Sequence, residues 1–190
     1  MKAYRVLGMA AVAGLVAGVC SAAAETYGVD PVHSTANFRI KHMGTSYFYG
    51  RFNDISGTIK FDEADPTKSS FDVDVKTESV DTKNDGRDKH LKSDSFFNVK
   101  QYPKMTFKSK SVKKTGEDQY EVSGDFTLHG VTKPLTVKVE RTGTGNMRGK
   151  QIVGFETSFT LKRTEFGMSE MLDGLSDEVQ VTVSLEAGKK

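Results

Sequence analysis

The chain has no tryptophan, one cysteine and four prolines among its 190 residues. Each scarcity excludes something. A lone cysteine forms no intramolecular disulfide and no multi-thiolate metal site, so packing must hold the fold together. Without tryptophan, and with no aromatic pair recurring at strand ends, the girdle of a membrane-spanning barrel is missing. Charge of one sign is scarce as well. The formal net charge is +2, too small for a nucleic-acid footprint. The lysines alternate with Asp and Glu, as on a solvated face. No fixed-period repeat, low-complexity tract or Pro/Ser-rich linker divides the chain.

Long apolar runs are scarce too, with one exception at the N-terminus. "VLGMAAVAGLVAGV" follows the basic "MKAYR" and precedes "SAAAE", with an A-x-A site at Ala22 to Ala24. This is the pattern of a secretory signal peptide, and the run is short for a membrane span. Cys20 raises a lipoprotein alternative, opposed by the bulky Val19 before it. The expectation is a cleaved segment 1–24 and a single domain over 25–190, exported to the periplasm. Cleavage removes Lys2 and Arg5 and leaves 25 bases against 25 acids.

What is abundant is alternation with period two. One row is Phe71, Val73, Val75 and Thr77, and another is Tyr120, Val122, Gly124, Phe126 and Leu128. Further rows are Leu135, Val137, Val139; Val153, Phe155, Thr157, Phe159, Leu161; and Val179, Val181, Val183, Leu185. Ala36, Phe38, Ile40 and His42 form one more, and Met105 with Phe107 a weaker one. Phe52, Ile55, Ile59 and Phe61 break step once, which predicts a bulge near Ser56–Gly57. These rows make eight strands, with a short leading segment, "TYGVD". Turn residues occupy the connections, and no helical stripe is present to cover the apolar faces. The prediction is all-β: an eight-stranded antiparallel up-and-down barrel with a short helix or loop cap between strands. Small residues in the inward rows (Ala36, Thr77, Ser109, Gly124, Thr157) either leave a pore or fit a taper. The residues alone leave that choice open.

Two stretches escape the alternation. "NDGRDKHLKSDSFFNVKQYP" packs both charges around His90 and Leu91 and ends on Phe96 and Phe97. Asp85 would cap a short helix with Asp88 three residues on, and Asp88–Lys92 and His90–Asp94 have i, i+4 spacing. Leu91, Phe96 and Phe97 would plug a barrel end. Arg87, His90, Lys92 and Ser93 are candidates for a rim that meets a polar head group. The second stretch, "TEFGMSEMLDGLSDE", is either a lipid gate or a satellite core cluster. The four histidines show no chelating spacing, and His33-Ser34 adjacency suits no base and nucleophile, so neither metal nor enzyme is expected.

Three motifs carry a resemblance: Asp30-Pro31-x-His33-Ser34; HLKSxxFF at 90–97 with Tyr102-Pro103; and Leu128-His129-Gly130-Val131-Thr132. With "KRTEFGMSE" and "LSDEVQVTVSLEA" they run in order from about Tyr27 to Glu186. The chain is similar here to the YceI-like, or polyisoprenoid-binding, family. The resemblance implies an extended lipocalin-like barrel holding a lipid-like ligand, an isoprenoid or fatty-acyl chain, in an apolar pore. The expected wall is Phe38, Ile40, Phe52, Ile59, Val73, Val75, Phe107, Phe126, Leu128, Val137, Phe155, Phe159 and Val181. No cofactor, nucleic acid or stable membrane insertion is expected, and homodimerisation stays open. The alternative is a packed, ligand-free stress or interaction protein.

Overall fold

Alternating sequences with one apolar face bury it by curling the sheet onto itself. The computed structural model describes residues 23–190. The signal-peptide pattern lies outside the described residues except for Ala23 and Ala24.

Among the described residues eleven strands form one antiparallel sheet: β1 (Glu25–Val29), β2 (Thr35–His42), β3 (Ser46–Phe52), β4 (Ile55–Phe61), β5 (Ser70–Lys76), β6 (Val80–Asp81), β7 (Lys104–Gly116), β8 (Gln119–Leu128), β9 (Val131–Met147), β10 (Lys150–Lys162) and β11 (Leu175–Lys189). Three pairs of these are interrupted single strands. β11 pairs with β2 along one half and with β1 along the other. β3 pairs with β2, and its continuation β4 pairs with β1. β5 pairs with β4 while β6 pairs with β3. The circuit therefore has eight strands, closed where β11 meets β1 and β2. This is the predicted up-and-down barrel, with "TYGVD" as the head of the first strand.

The break in the Phe52, Ile55, Ile59, Phe61 row lies at Asn53–Asp54, between β3 and β4, and not at Ser56–Gly57 as predicted. Ser56↔Asp74 and Gly57↔Val73 pair in unbroken register. The small inward residues divide: Ala36 and Thr157 line open space, and the glycines do not. A Cβ on Gly57 would meet the Asp72 carbonyl oxygen at 2.3 Å, and one on Gly124 would meet that of Lys108 at 2.3 Å. These glycines let strands approach closely and leave no open space. Ser109, at a bulge in β7, accepts the Phe71 N–H on its Oγ (2.8 Å).

All strand turns fall at two ends, and the ends differ. At one end the interior is packed. Phe61 meets Tyr120 and Phe155 edge-on, with centroids at 5.4 and 5.2 Å, and Phe71 meets Phe155 at 5.1 Å. Ile59, Tyr120 and Val122 there are fully buried. Arg141 closes this end over the Phe61 ring, with Glu63 and Asp118 as partners at 2.8 and 2.5 Å. Burial and a hydrogen bond to Glu25 push the nearby Tyr27 phenol up to about 12. The other end carries the β2–β3 turn, the β8–β9 turn, a helix α1 (Asp85–Lys92) and the 163–175 connection.

Candidate functional site

The open end is built by the two stretches that lack strand periodicity. α1 starts where Asn84 Oδ1 accepts the Arg87 N–H (2.9 Å), so Asn84 is the cap and not Asp85. Asp88 does not pair with Lys92. Its carboxylate accepts from the Thr82 N–H (2.9 Å) and from the Thr82 hydroxyl. Lys92 turns away to Glu78 (3.1 Å), and Ser93 donates to the His90 carbonyl as the helix C-cap (2.7 Å). Neither Lys92 nor Ser93 lines the interior, which corrects their assignment to the rim.

Arg87 and His90 do face the opening. The Arg87 guanidinium lies 4.1 Å over the Phe48 ring and donates to the Thr82 hydroxyl (2.9 Å) and carbonyl (2.7 Å). Among the described residues no carboxylate pairs with it. His90 meets Phe96 edge-on at 4.9 Å. Below them Leu91 and Phe97 pack on the barrel core, Phe97 against Phe52 at 5.3 Å, while Phe96 joins Leu128, Phe166 and Met168.

Residues 163–175 form the opposite lip. Arg163, 3% exposed, donates to the carbonyls of Ser176 (3.0 Å), Met168 (3.0 Å), Glu170 (2.6 Å) and Leu175 (3.1 Å). Burial lowers its pKa from the usual guanidinium value, with Asp177 and Glu170 acting in opposition. The loop is thus wound around one buried cation. The family motifs meet beside it. His129 and Gly130 have φ of 51° and 75°, the two positive values of a two-residue hairpin turn. The His129 ring packs on Tyr102 at 4.6 Å, and its Nδ1 donates to the Phe166 carbonyl (3.1 Å). That bond fixes the tautomer.

Between these lips opens a cavity of about 690 Å³. Its mouth is set by His42, Tyr47, Arg87, His90 and Met171, and its floor by Phe71, Val139, Phe155 and Leu185. Phe38, Phe107, Phe126 and Phe159 point inward yet are only half-buried, because they border this space. Twelve of the thirteen expected wall residues line it. Ile59 does not: it lies in the packed end, fully buried. The expected wall missed Leu135, Leu161 and Val183, although they stand in the same alternating rows. It also missed Phe48 and Met168, which nothing in the periodicity marks.

The Asp30–Ser34 motif sits elsewhere, at the corner between β1 and β2. Glu186 donates its N–H to Ser34 Oγ (3.0 Å) and accepts the Asp30 N–H (2.8 Å). His33 Nδ1 bonds Asp30 (2.8 Å) and lies 3.6 Å from Glu186 Oε1. These three side chains bring potential metal-ligand atoms within 4.8 Å of one another, a grouping that spacing did not foresee.

The family described as YceI-like domain matches residues 27–187. Protein YceI of Escherichia coli is 42% identical over 177 residues, 92% of each chain. The crystal structure of the Campylobacter jejuni YceI protein has a TM-score of 0.70 at 34% identity, covering 79% of this chain and 90% of that one. A polyisoprenoid binding domain from Saccharophagus degradans, implicated in plant cell wall breakdown, shares the fold at 18% identity with a TM-score of 0.69. That match covers 86% of this chain and 98% of that one.

Proposed function

The chain belongs to the YceI-like family, and from that premise we propose that it binds a long amphiphile, an isoprenoid or fatty-acyl chain, as an exported carrier. The observation that carries this reading is the cavity, open at one end and lined by inward aromatic and aliphatic side chains. A fully packed barrel would bury Phe38, Phe107 and Phe159 completely. At the ~30 Å³ that a water occupies in liquid, about the volume of a methylene, the space holds roughly 23 methylenes. Burying them yields on the order of 18 kcal/mol gross at ~0.8 each. Losing half to chain ordering and lost translation leaves about 9 kcal/mol, a micromolar or tighter complex.

The tail enters first, toward Phe71 and Phe155, and the head group stays at the mouth beside Arg87 and His90. The Saccharophagus domain, named for polyisoprenoid binding, supports the ligand class through a shared fold. The pattern of residues 1–24 supports export and a periplasmic location. Extraction of the purified protein with organic solvent, followed by mass spectrometry, tests the reading. A stoichiometric prenyl or acyl lipid is expected. A clean extract, with no uptake of added prenyl or acyl chains, rejects it in favour of a ligand-free barrel.

A further inference from the structure

Among the described residues, the ladder between β9 and β10 stops part-way along the barrel wall. β9 and β10 pair from Lys150↔Met147 only as far as Thr157↔Val139. Beyond that fork, residues 131–138 pair with β8 alone and residues 158–162 with β11 alone. The fork is stabilised locally, where Thr157 Oγ1 donates to the Lys138 carbonyl (2.7 Å). Pro134 stands on the freed edge, a position that suits a residue with no N–H to pair.

A surface groove of about 370 Å³ lies in this seam. Phe126, Leu135, Phe159 and Leu161 line both the groove and the main cavity. The wall between them is therefore one side chain thick. Phe126 meets Phe159 at 6.1 Å and Phe166 at 5.6 Å, both edge-on, so the partition is made of rings and has no backbone ladder behind it. Across the groove Lys133 bonds Glu165 at 3.1 Å, with both side chains more than a third exposed. A solvated pair of this kind holds weakly.

We propose that the seam is a second, lateral subsite that takes the distal part of an apolar chain too long for the barrel. The proposal rests on the cavity being the lipid site. The barrel floor is sealed by Phe61, Phe71, Tyr120 and Phe155, so a chain entering tail first has no axial exit. At ~30 Å³ per methylene the cavity accepts about 23, and the groove accepts about 12 more. A longer chain either protrudes from the mouth into water or turns through the partition. Turning buries apolar surface against Phe126, Phe159 and Phe166, and protruding exposes it, so the seam is favoured.

Two fatty-acid probes with a diazirine at the tail end test this, one of about 16 carbons and one of about 32, below and above the cavity limit. Each is photolysed on the purified protein and the labelled residues are mapped by mass spectrometry. The short probe should label the floor, at Phe71, Val139 or Phe155. The long probe should label the groove at Lys133, Pro134, Thr160, Glu165 or Phe166, which line it and not the main cavity. Thr160→Trp, which fills the groove at a residue that does not line the main cavity, should cut groove labelling by the long probe about fivefold or more while the short probe labels as before. If the long probe labels only the floor or the mouth residues Tyr47 and Met171, the seam is not a subsite and the cavity reading stands. If neither probe labels the interior, the cavity reading falls and the seam falls with it. The wild-type map decides the matter even if the variant folds poorly.

Discussion

His33 ties together a corner of the barrel. Its Nδ1 faces Asp30, with Glu186 behind, at the corner where the first strand bends from β1 to β2. The hydrogen bond to Asp30 raises the His33 pKa above the usual 6.5, and the same bond lowers that of Asp30 below 3.8. A raised histidine pKa contributes stability that is complete below 6.5 and fades as pH rises through the folded value. A lowered carboxylate pKa contributes stability that is present above 3.8 and is lost as pH falls through the folded value. The corner is therefore best tied in mildly acidic solution. A proton NMR titration of the His33 ring should give a midpoint above 6.5, and Asp30→Asn should return it toward 6.5. No shift on substitution would mean the contact does not persist in solution. The identity of the pair was legible as a motif. Its third member was not, because Glu186 lies 152 residues beyond Ser34.

At the scale of elements, period-two alternation translated directly into barrel strands, since each strand has one wet and one dry face. Of the two stretches without alternation, the first was legible as a short helix at a barrel end, and the second as an exception only. The cap of α1 moved from Asp85 to Asn84 because Asp88 is held by Thr82, which sets where the helix begins. The 163–175 lip depends on Arg163, and no local spacing reveals that four carbonyls converge on it. Lysine keeps the charge but lacks the planar fork that serves all four. Arg163→Lys should lower stability to urea by roughly 3–6 kcal/mol, two charge-assisted hydrogen bonds' worth. Amide exchange should rise at residues 168–175 and stay unchanged in β7 and β8. Uniform loosening would indicate that Arg163 supports the barrel as a whole and not this lip.

For the whole molecule, the division of the barrel into a packed half and a hollow half is the decisive property, and the sequence conceals it. Phe155 and Phe159 stand in one row of β10, yet Phe155 is buried in the packed end and Phe159 borders the cavity. What separates them is which side chains arrive from the other strands. Phe61, Phe71 and Tyr120 converge below, whereas the strands fork beside Phe159. The depth of the cavity is thus set by the aromatic plug, and Phe155 is its uppermost piece. Phe155→Ala should extend the cavity downward by roughly three or four methylene volumes and lower stability by about 3–5 kcal/mol. Phe155→Leu deepens it less and retains more of the packing. In competition assays with a graded series of saturated fatty acids, the tightest-binding length should increase from wild type to Leu to Ala. If the optimum stays fixed while both variants remain folded, the chain does not reach the plug, and its length is measured from the mouth or the seam instead.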